Sequence, residues 1–292
     1  MKKLNMLLIA VLAGYGTMAQ TDTTVTTKSD TMRIGNIIII KKGKKVNADS
    51  AGIELTQESQ ARKHSSKVTT NWWIVDLGFS NYDDQTNYTS ANAGGYLADR
   101  PGSSFTKNDF KLRTGKSINV NIWLFMQRIN LIKKNVNLKY GLGVELNNYR
   151  FRAPLSFRES GEIPYSGGLQ TNNTFIFRDS INFSKNKLAA DYVTVPVMLN
   201  FSTTPRHNRK PFIFSAGVSA GYLYSQRNKQ VSNERGKLKN KGDYDLEKFK
   251  FSYVAEIGYG PVKLYGSYSP KSMFERSLDM RPYNFGIRFS SW

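Results

Sequence analysis

From Trp72 to the C-terminus, apolar and polar residues alternate along most of the chain. Successive side chains of a strand point to opposite faces, so this alternation predicts strands with one apolar and one polar face. In residues 136–151, Leu138 and Leu142 fall on one face and Lys139 falls on the other. Such two-faced strands are typical of a barrel with lipid outside and a polar interior.

Eight strands are predicted in this way. They span residues 72–82, 117–130, 136–151, 188–201, 210–225, 249–259, 262–269 and 282–290. In the first strand, Trp73 and Val75 are expected outward. In the second, Leu124 and Met126 are expected outward and Gln127 inward.

The connections between these strands are alternately long and short. The long ones cover residues 81–115, 152–187, 226–248 and 270–281. In outer-membrane barrels the short turns face the periplasm, and an even strand number brings both termini to that side. The sequence therefore predicts an all-β, eight-stranded antiparallel up-and-down transmembrane β-barrel in the cell outer membrane, with periplasmic termini. A soluble β-sandwich is the alternative, but aromatic residues cluster at the predicted strand ends, as in membrane barrels.

The N-terminal part has a different composition. Lys2 and Lys3, the apolar residues 4–13 and the small residues before Gln20 predict a signal peptide at residues 1–19. A retained anchor is the alternative, although the apolar run is only about half of what a spanning helix needs. Residues 20–71 are expected to form a partly disordered periplasmic extension, and residues 72–292 the barrel. The run Ile37–Ile40 predicts a short strand that pairs with its neighbours, with a partner or across the barrel mouth.

The composition of the chain limits the classes of partner that we expect it to bind. The chain has no cysteine, which excludes disulfides and a lipoprotein anchor, and its formal charge is +20. The cations are not interleaved with aromatics as on a nucleic-acid-binding face, so lipid and lipopolysaccharide are the expected counter-ions. An envelope protein is a further candidate partner, through the extension or the loops. The segment 226–248 is the most basic of the loops and is expected to be external.

Catalytic chemistry has little support. The chain has two histidines, His64 and His207, and both are expected far from an outer-rim site. Asp83 and Asp84 leave a rim hydrolase open as a minor alternative. We predict no catalytic residues, no metal and no cofactor, and the protein is expected not to be an enzyme.

Charged residues on the predicted inner faces form a candidate cluster. A barrel of eight strands is just wide enough to be filled by side chains, so opposite charges there are expected to pair. We interpret the cluster as a structural polar core, with a small proton or ion path as the alternative. Its members are Asp76, Lys139, Glu145, Lys250, Glu256, Lys263 and Arg288.

Residues 192–199, Tyr-Val-Thr-Val-Pro-Val-Met-Leu, resemble a strand motif of the PorT-like outer-membrane β-barrel family of Bacteroidota. Residues 140–144, 214–222 and 283–289 support the resemblance. It implies the barrel architecture, and it raises a second functional hypothesis, an accessory component of a protein secretion machine in the cell envelope. Pro196 lacks a backbone donor, so a bulge or register shift is predicted there.

Overall fold

The computed structural model describes residues 31–34, 37–40, 67–132, 135–203 and 211–290. The chain divides into two units, residues 1–65 and 66–292. In the first unit, β1 (Thr31–Ile34) pairs antiparallel with β2 (Ile37–Ile40), so the isoleucine run pairs with its own chain neighbours. The predicted signal peptide, both histidines and the C-terminal Trp292 lie outside the described residues.

The second unit is almost entirely β-structure. Its strands are, in chain order, β3 (Val68–Asp84), β4 (Leu97–Ala98), β5 (Ile118–Ile132), β6 (Val136–Arg150), β7 (Leu155–Arg158), β8 (Gly161–Glu162), β9 (Gln170–Thr171), β10 (Phe175–Arg178), β11 (Lys185–Ser202), β12 (Phe212–Ser232), β13 (Gly236–Lys241), β14 (Phe249–Tyr259), β15 (Val262–Tyr268) and β16 (Met280–Phe289). One short helix, α1 (Tyr88–Ala93), and a 3₁₀ turn (Thr114–Lys116) lie between β3 and β5.

Eight long strands form an antiparallel ring in the order β11-β6-β5-β3-β16-β15-β14-β12, and β12 pairs with β11. All eight predicted strands are present, and β14 has the predicted bounds. The largest difference is in β12, which continues to Ser232 and is followed by β13. The segment 226–248, expected as a long connection, is therefore largely a β-hairpin.

The outer face of the ring is apolar and the inner face is polar. On β14, Phe249, Phe251 and Tyr253 are exposed, whereas Lys250 and Ser252 between them are buried. The same alternation is unbroken along β6. The apolar side chains of this chain thus cover the outside of the sheet, as the alternation predicts.

Bulges disturb the alternation, among them one at Trp73 of β3 and one at Leu124 of β5. Trp73 has a φ of 55° and no partner in the β3–β5 register, so Trp72 and Trp73 are both exposed. In β5, the register with β6 shifts between Trp123 and Phe125, which turns Met126 inward, where it is fully buried. Met126 was expected outward, and that assignment is wrong because one inserted residue reverses the faces beyond it. Gln127 is likewise turned to the face of Tyr140, which donates its hydroxyl to it at 2.5 Å.

Pro196 does not mark a register shift. Thr194 opposes Gly143 and Val197 opposes Tyr140, so the register with β6 is the same on both sides of the proline. The register with β12 shifts between Asp191 and Tyr192 instead, where Tyr224 of β12 has no partner in β11. The predicted shift at Pro196 is therefore wrong.

Two inward glycines, Gly141 and Gly143, lie against bulky neighbours. A Cβ added at Gly143 would lie 2.7 Å from Cε3 of Trp123, and one at Gly141 would lie 2.9 Å from Cγ of Met126. Since real Cβ atoms do not approach so closely, the large side chains of β5 occupy the space that these glycines leave.

The long connections pack together at one end of the ring. Their apolar side chains and the adjoining strand ends form one buried cluster, which we call the loop cap. Its core includes Tyr82, Tyr96, Phe105, Phe110, Phe151, Phe157, Ile176, Tyr244 and Phe274. No helix in the part of the chain that the structure describes is long and apolar enough to cross a membrane.

Candidate functional site: the charged interior

Asp76 of β3 lies fully buried on the inner face of the ring. Arg288 of β16 donates to it twice, from Nε to Oδ1 and from Nη2 to Oδ2, both at 2.7 Å. Asp76 Oδ2 also accepts the indole N–H of Trp123 at 2.7 Å and the amide of Asn121 at 3.1 Å. Register explains the pair, because Arg288 directly opposes Asp76 in the β16–β3 ladder. The carboxylate therefore accepts four hydrogen bonds, one on Oδ1 and three on Oδ2.

Glu256 of β14 links the same arginine to a second cation. Arg288 Nη1 donates to its Oε2 at 2.7 Å, and Lys139 of β6 forms an ion pair with its Oε1. Ser215 adds a hydroxyl donor at 2.7 Å. Because β6 and β14 are not neighbours in the ring, the Lys139–Glu256 pair crosses the interior.

A separate ion pair joins Lys250 and Glu145, also across the interior. The ammonium of Lys250 lies 4.9 Å from the ring centroid of Tyr192, in cation–π geometry. The ring of Tyr192 belongs to the base of the loop cap. This pair therefore lies where the polar interior meets the apolar cap.

Lys263 is the exception among the seven predicted residues. It donates to Oγ of Ser290 at 2.5 Å and to the carbonyls of Gly260 and Ser290. Within the described part of the chain no carboxylate lies within ion-pairing distance of it. The structure thus joins Asp76, Arg288, Glu256 and Lys139 in one network, places the Glu145–Lys250 pair in the same interior, and leaves Lys263 bonded to uncharged groups.

Uncharged polar residues extend the network. Asn119 donates to Asn121 and Asn147, each at 2.8 Å, and accepts the hydroxyl of Tyr265. Ser80 donates to Asn284 at 2.7 Å. The inward asparagines of β5 alternate with apolar residues in the sequence, and that signal was sufficient to place Asn119 and Asn121. Trp123 lies in phase with Asn119 and Asn121, before the bulge of β5, but its apolar ring gave no signal for a polar interior.

The loop cap has its own hydrogen bonds. Tyr96 donates to the carbonyl of Tyr244 at 2.8 Å, and Tyr244 donates to that of Asn240 at 3.0 Å. Burial raises the pKa of Tyr96, and burial raises the pKa of Tyr244 to about 12. Both hydroxyls therefore remain protonated donors at neutral pH.

Asp83 and Asp84 do not form a carboxylate pair. As neighbours on β3 they point to opposite faces, with Asp83 exposed and Asp84 largely buried. Asp84 accepts the hydroxyl of Tyr88 at 2.6 Å and the backbone N–H of Thr86 at 3.1 Å. The carboxylate of Asp84 thus stabilises the start of the loop. Asp83 accepts a hydrogen bond from the side-chain amide of Gln85 at 2.6 Å.

The chemistry open to this interior is limited. Its carboxylates accept bonds from cations, and the described residues contain no group of three or more His, Cys, Asp or Glu side chains that could hold a metal ion. Charges of both signs are paired at hydrogen-bonding distance in this interior.

Comparison with known proteins identifies a protein family. Residues 65–273 match the family model described as outer membrane protein beta-barrel domain. No curated protein matches the chain. The matched residues contain seven of the eight strands of the ring in full, with β16 beyond them.

Proposed function

Because this chain belongs to the outer membrane protein beta-barrel domain family, we propose that its ring spans the outer membrane as a closed barrel. The barrel is a non-enzymatic anchor that holds the loop cap at the membrane surface for binding or for envelope integrity. The observation that carries the proposal is the inverted distribution of side chains, with aromatic and aliphatic residues outside and ion pairs inside.

The height of the apolar surface fits a bilayer. A transmembrane strand needs about 9–11 residues. β14 has 11 residues, and its exposed side chains are apolar from Phe249 to Tyr259. On β11 the exposed apolar side chains extend from Val193 to Phe201. A ring without a free edge also satisfies the backbone groups that hydrocarbon cannot.

The lengths of the connections between strands support one orientation of the proposed barrel in the membrane. The short turns after β5, β11 and β14 lie at the end opposite the loop cap, because each strand of the ring runs antiparallel to its neighbours. In this proposal those turns and both termini are periplasmic, and residues 1–19 are a signal peptide. The loop cap faces the outside, next to lipid and lipopolysaccharide, and nucleic acid is not a partner.

The proposal that the protein is not an enzyme is supported by the positions of its carboxylates. The exposed Asp83 and the buried Asp84 point apart, and the interior acids are bonded to arginine and lysine. A rim hydrolase would need a free base beside a nucleophile. Failure of the purified protein to hydrolyse lipid, ester and peptide substrates is the expected result.

Membrane insertion is tested by fractionation and by a matched pair of variants. The protein is expected in the outer-membrane fraction, with faster migration on gels when it is not boiled. Val218→Arg, at an outward position in the middle of β12, should lower the folded fraction in lipid vesicles, since arginine at the bilayer midplane costs about 2–4 kcal/mol. The control Leu169→Arg, at an exposed loop position, should fold like wild type. A soluble product, or equal folding of the two variants, would contradict the proposal.

A second candidate is an accessory role in a protein secretion machine of the envelope. Its support is the PorT-like resemblance of residues 192–199, which lie in β11 between β6 and β12. An envelope partner would bind the N-terminal extension or the loop cap. Deletion of the gene should then impair secretion, and unchanged secretion removes this candidate.

A further inference from the structure

Above the apolar band, the outer wall of the ring changes to a basic surface. The strands β6, β11 and β12 continue beyond the band, and β13 adds a fourth strand beside β12. The cations on the outward face of this extension form what we call the basic wall patch. Its members are Arg150, Lys185, Lys187, Arg227, Lys229, Lys237, Lys239 and Lys241.

The strand register aligns these cations in rows. Arg150 opposes Lys187, Lys187 opposes Lys229, and Lys229 opposes Lys239. Directly opposed residues project from the same face, and neighbouring strands are about 4.8 Å apart, so four cations lie along a row of roughly 15 Å. In the β12–β13 pair, Arg227 opposes Lys241 to give a second row.

The opposite face of the same strands shows that these rows point away from the loop cap. Asn186 and Gln230, whose positions alternate with the cations, are buried and donate to the carbonyl of Leu155 inside the cap. Leu188 is fully buried there as well. The lysines between them therefore lie on the outside of the wall.

The patch contains a single neutralising acid on its strands. Asp191 is the one acidic residue in residues 185–191 and 225–241 that lies on the outward face of a strand, and it pairs with Arg227. No carboxylate among the described residues forms an ion pair with the patch lysines. Arg235 is turned elsewhere, since it pairs with Asp179 at 2.9 Å. Burial and the neighbouring Lys229 and Lys185 lower the pKa of Lys187, which lies beyond the apolar band, to about 8.

The patch begins where the apolar band ends. Tyr222 and Tyr224 are exposed on β12 immediately before Arg227, and Val193 is exposed on β11 just after Asp191. On a membrane-spanning barrel, aromatic side chains of this kind lie at the level of the headgroups. A cation row directly above them is at the height of lipid phosphates.

We propose that the basic wall patch binds the phosphate groups of an anionic glycolipid in the outer leaflet, of the lipopolysaccharide type, whose acyl chains pack on the apolar band below. The inference rests on the proposed membrane-spanning function. The proposal specifies which face of the barrel binds the glycolipid. It does not require the loop cap.

The test compares two triple variants of equal charge. Lys187→Gln, Lys229→Gln and Lys239→Gln remove the central row. The control Lys111→Gln, Arg113→Gln and Lys116→Gln removes three exposed cations from the connection before β5. Each protein is reconstituted in phosphatidylcholine nanodiscs, and retention of labelled lipid A is measured with the diphosphorylated and the dephosphorylated form.

The row variant should retain diphosphorylated lipid A about a hundredfold less than wild type, because each of the three basic residues near an anionic leaflet contributes roughly fivefold in affinity. The control variant should match wild type, and dephosphorylated lipid should be retained weakly by all three proteins. Equal retention by the row variant and wild type, or no preference for phosphorylated lipid, overturns the inference. Heat-modifiable migration of the same samples reports insertion separately. Inserted protein without lipid preference contradicts this inference alone, whereas wild-type protein that does not insert contradicts the proposed function as well.

Discussion

Replacement of Arg288 by methionine tests the interior network most directly. Arg288 donates three hydrogen bonds of 2.7 Å to two carboxylates, Asp76 and Glu256, and it is almost fully buried. Methionine fills much of the same volume without a charge. After the change, Asp76 keeps only the uncharged donors of Trp123 and Asn121, whereas Glu256 keeps Lys139.

The expected loss of stability is large. Removal of one partner from a buried ion pair costs about 3–5 kcal/mol, because the other charge remains away from water without compensation. Such a loss changes the ratio of folded to unfolded protein by more than about a hundredfold. Most of this loss should arise at Asp76, because its buried charge is left without a cation. Adding Asp76→Asn to Arg288→Met removes that charge and should recover part of the stability.

The assay is urea unfolding in lipid vesicles, followed by the heat-modifiable gel shift. A matched control is available on the same strand, since Arg281 pairs with Asp279 at 2.9 Å but is partly exposed. Arg281→Met should leave the unfolding midpoint close to that of wild type. Equal midpoints for Arg288→Met and Arg281→Met would refute the view that the interior ion pairs stabilise the ring.

Three further predictions concern packing and are measured by the same unfolding assay or by proteolysis. Gly143→Ala should destabilise by about 1–3 kcal/mol, since its Cβ would lie 2.7 Å from Trp123, whereas Gly115→Ala, with no atom within 4 Å, should be neutral. Trp123→Phe should cost about 1–3 kcal/mol because Asp76 loses an indole donor, and equal effects of Trp123→Phe and Trp72→Phe, at an exposed position, would contradict this. Phe157→Ala, which removes ring contacts with Phe151 and Tyr244, should speed tryptic cleavage of the loop cap, and the control Leu169→Ala should not.

The regular part of the ring was predictable from the sequence because each strand carries its own signal. β14 alternates over its whole length and is followed by a tight turn at Gly260, so both bounds were predicted correctly. Bulges carry no such signal. The extra residues, Trp73 and Leu124, are themselves apolar. The hydrophobic pattern therefore did not reveal that Trp72 and Trp73 are both exposed, or that Met126 is turned inward.

The strand extension was missed for a different reason. Along residues 226–232 the outward side chains are cationic and the inward ones are amides, for example Lys229 beside Asn228 and Gln230. Both faces are polar, so hydrophobic alternation disappears although the strand continues. The loop cap was missed because its aromatics come from distant segments, such as Phe105 and Phe274, whose packing depends on the tertiary fold.

The interior network has a specific consequence for strand register. On the outer face of the ring, one apolar residue substitutes for another at little cost, so this face discriminates poorly between alternative pairings of two strands. Inside, a slip of one residue between β16 and β3 would turn Arg288 to the apolar outer face and remove its opposition to Asp76. A slip between other strands would separate Glu256 from Lys139 or Glu145 from Lys250. Buried charges contribute little net stability when compared with apolar residues, but each misplaced charge costs several kcal/mol. We therefore expect the six interior residues that form ion pairs to act mainly by disfavouring wrong registers, which the outer surface of the ring does poorly.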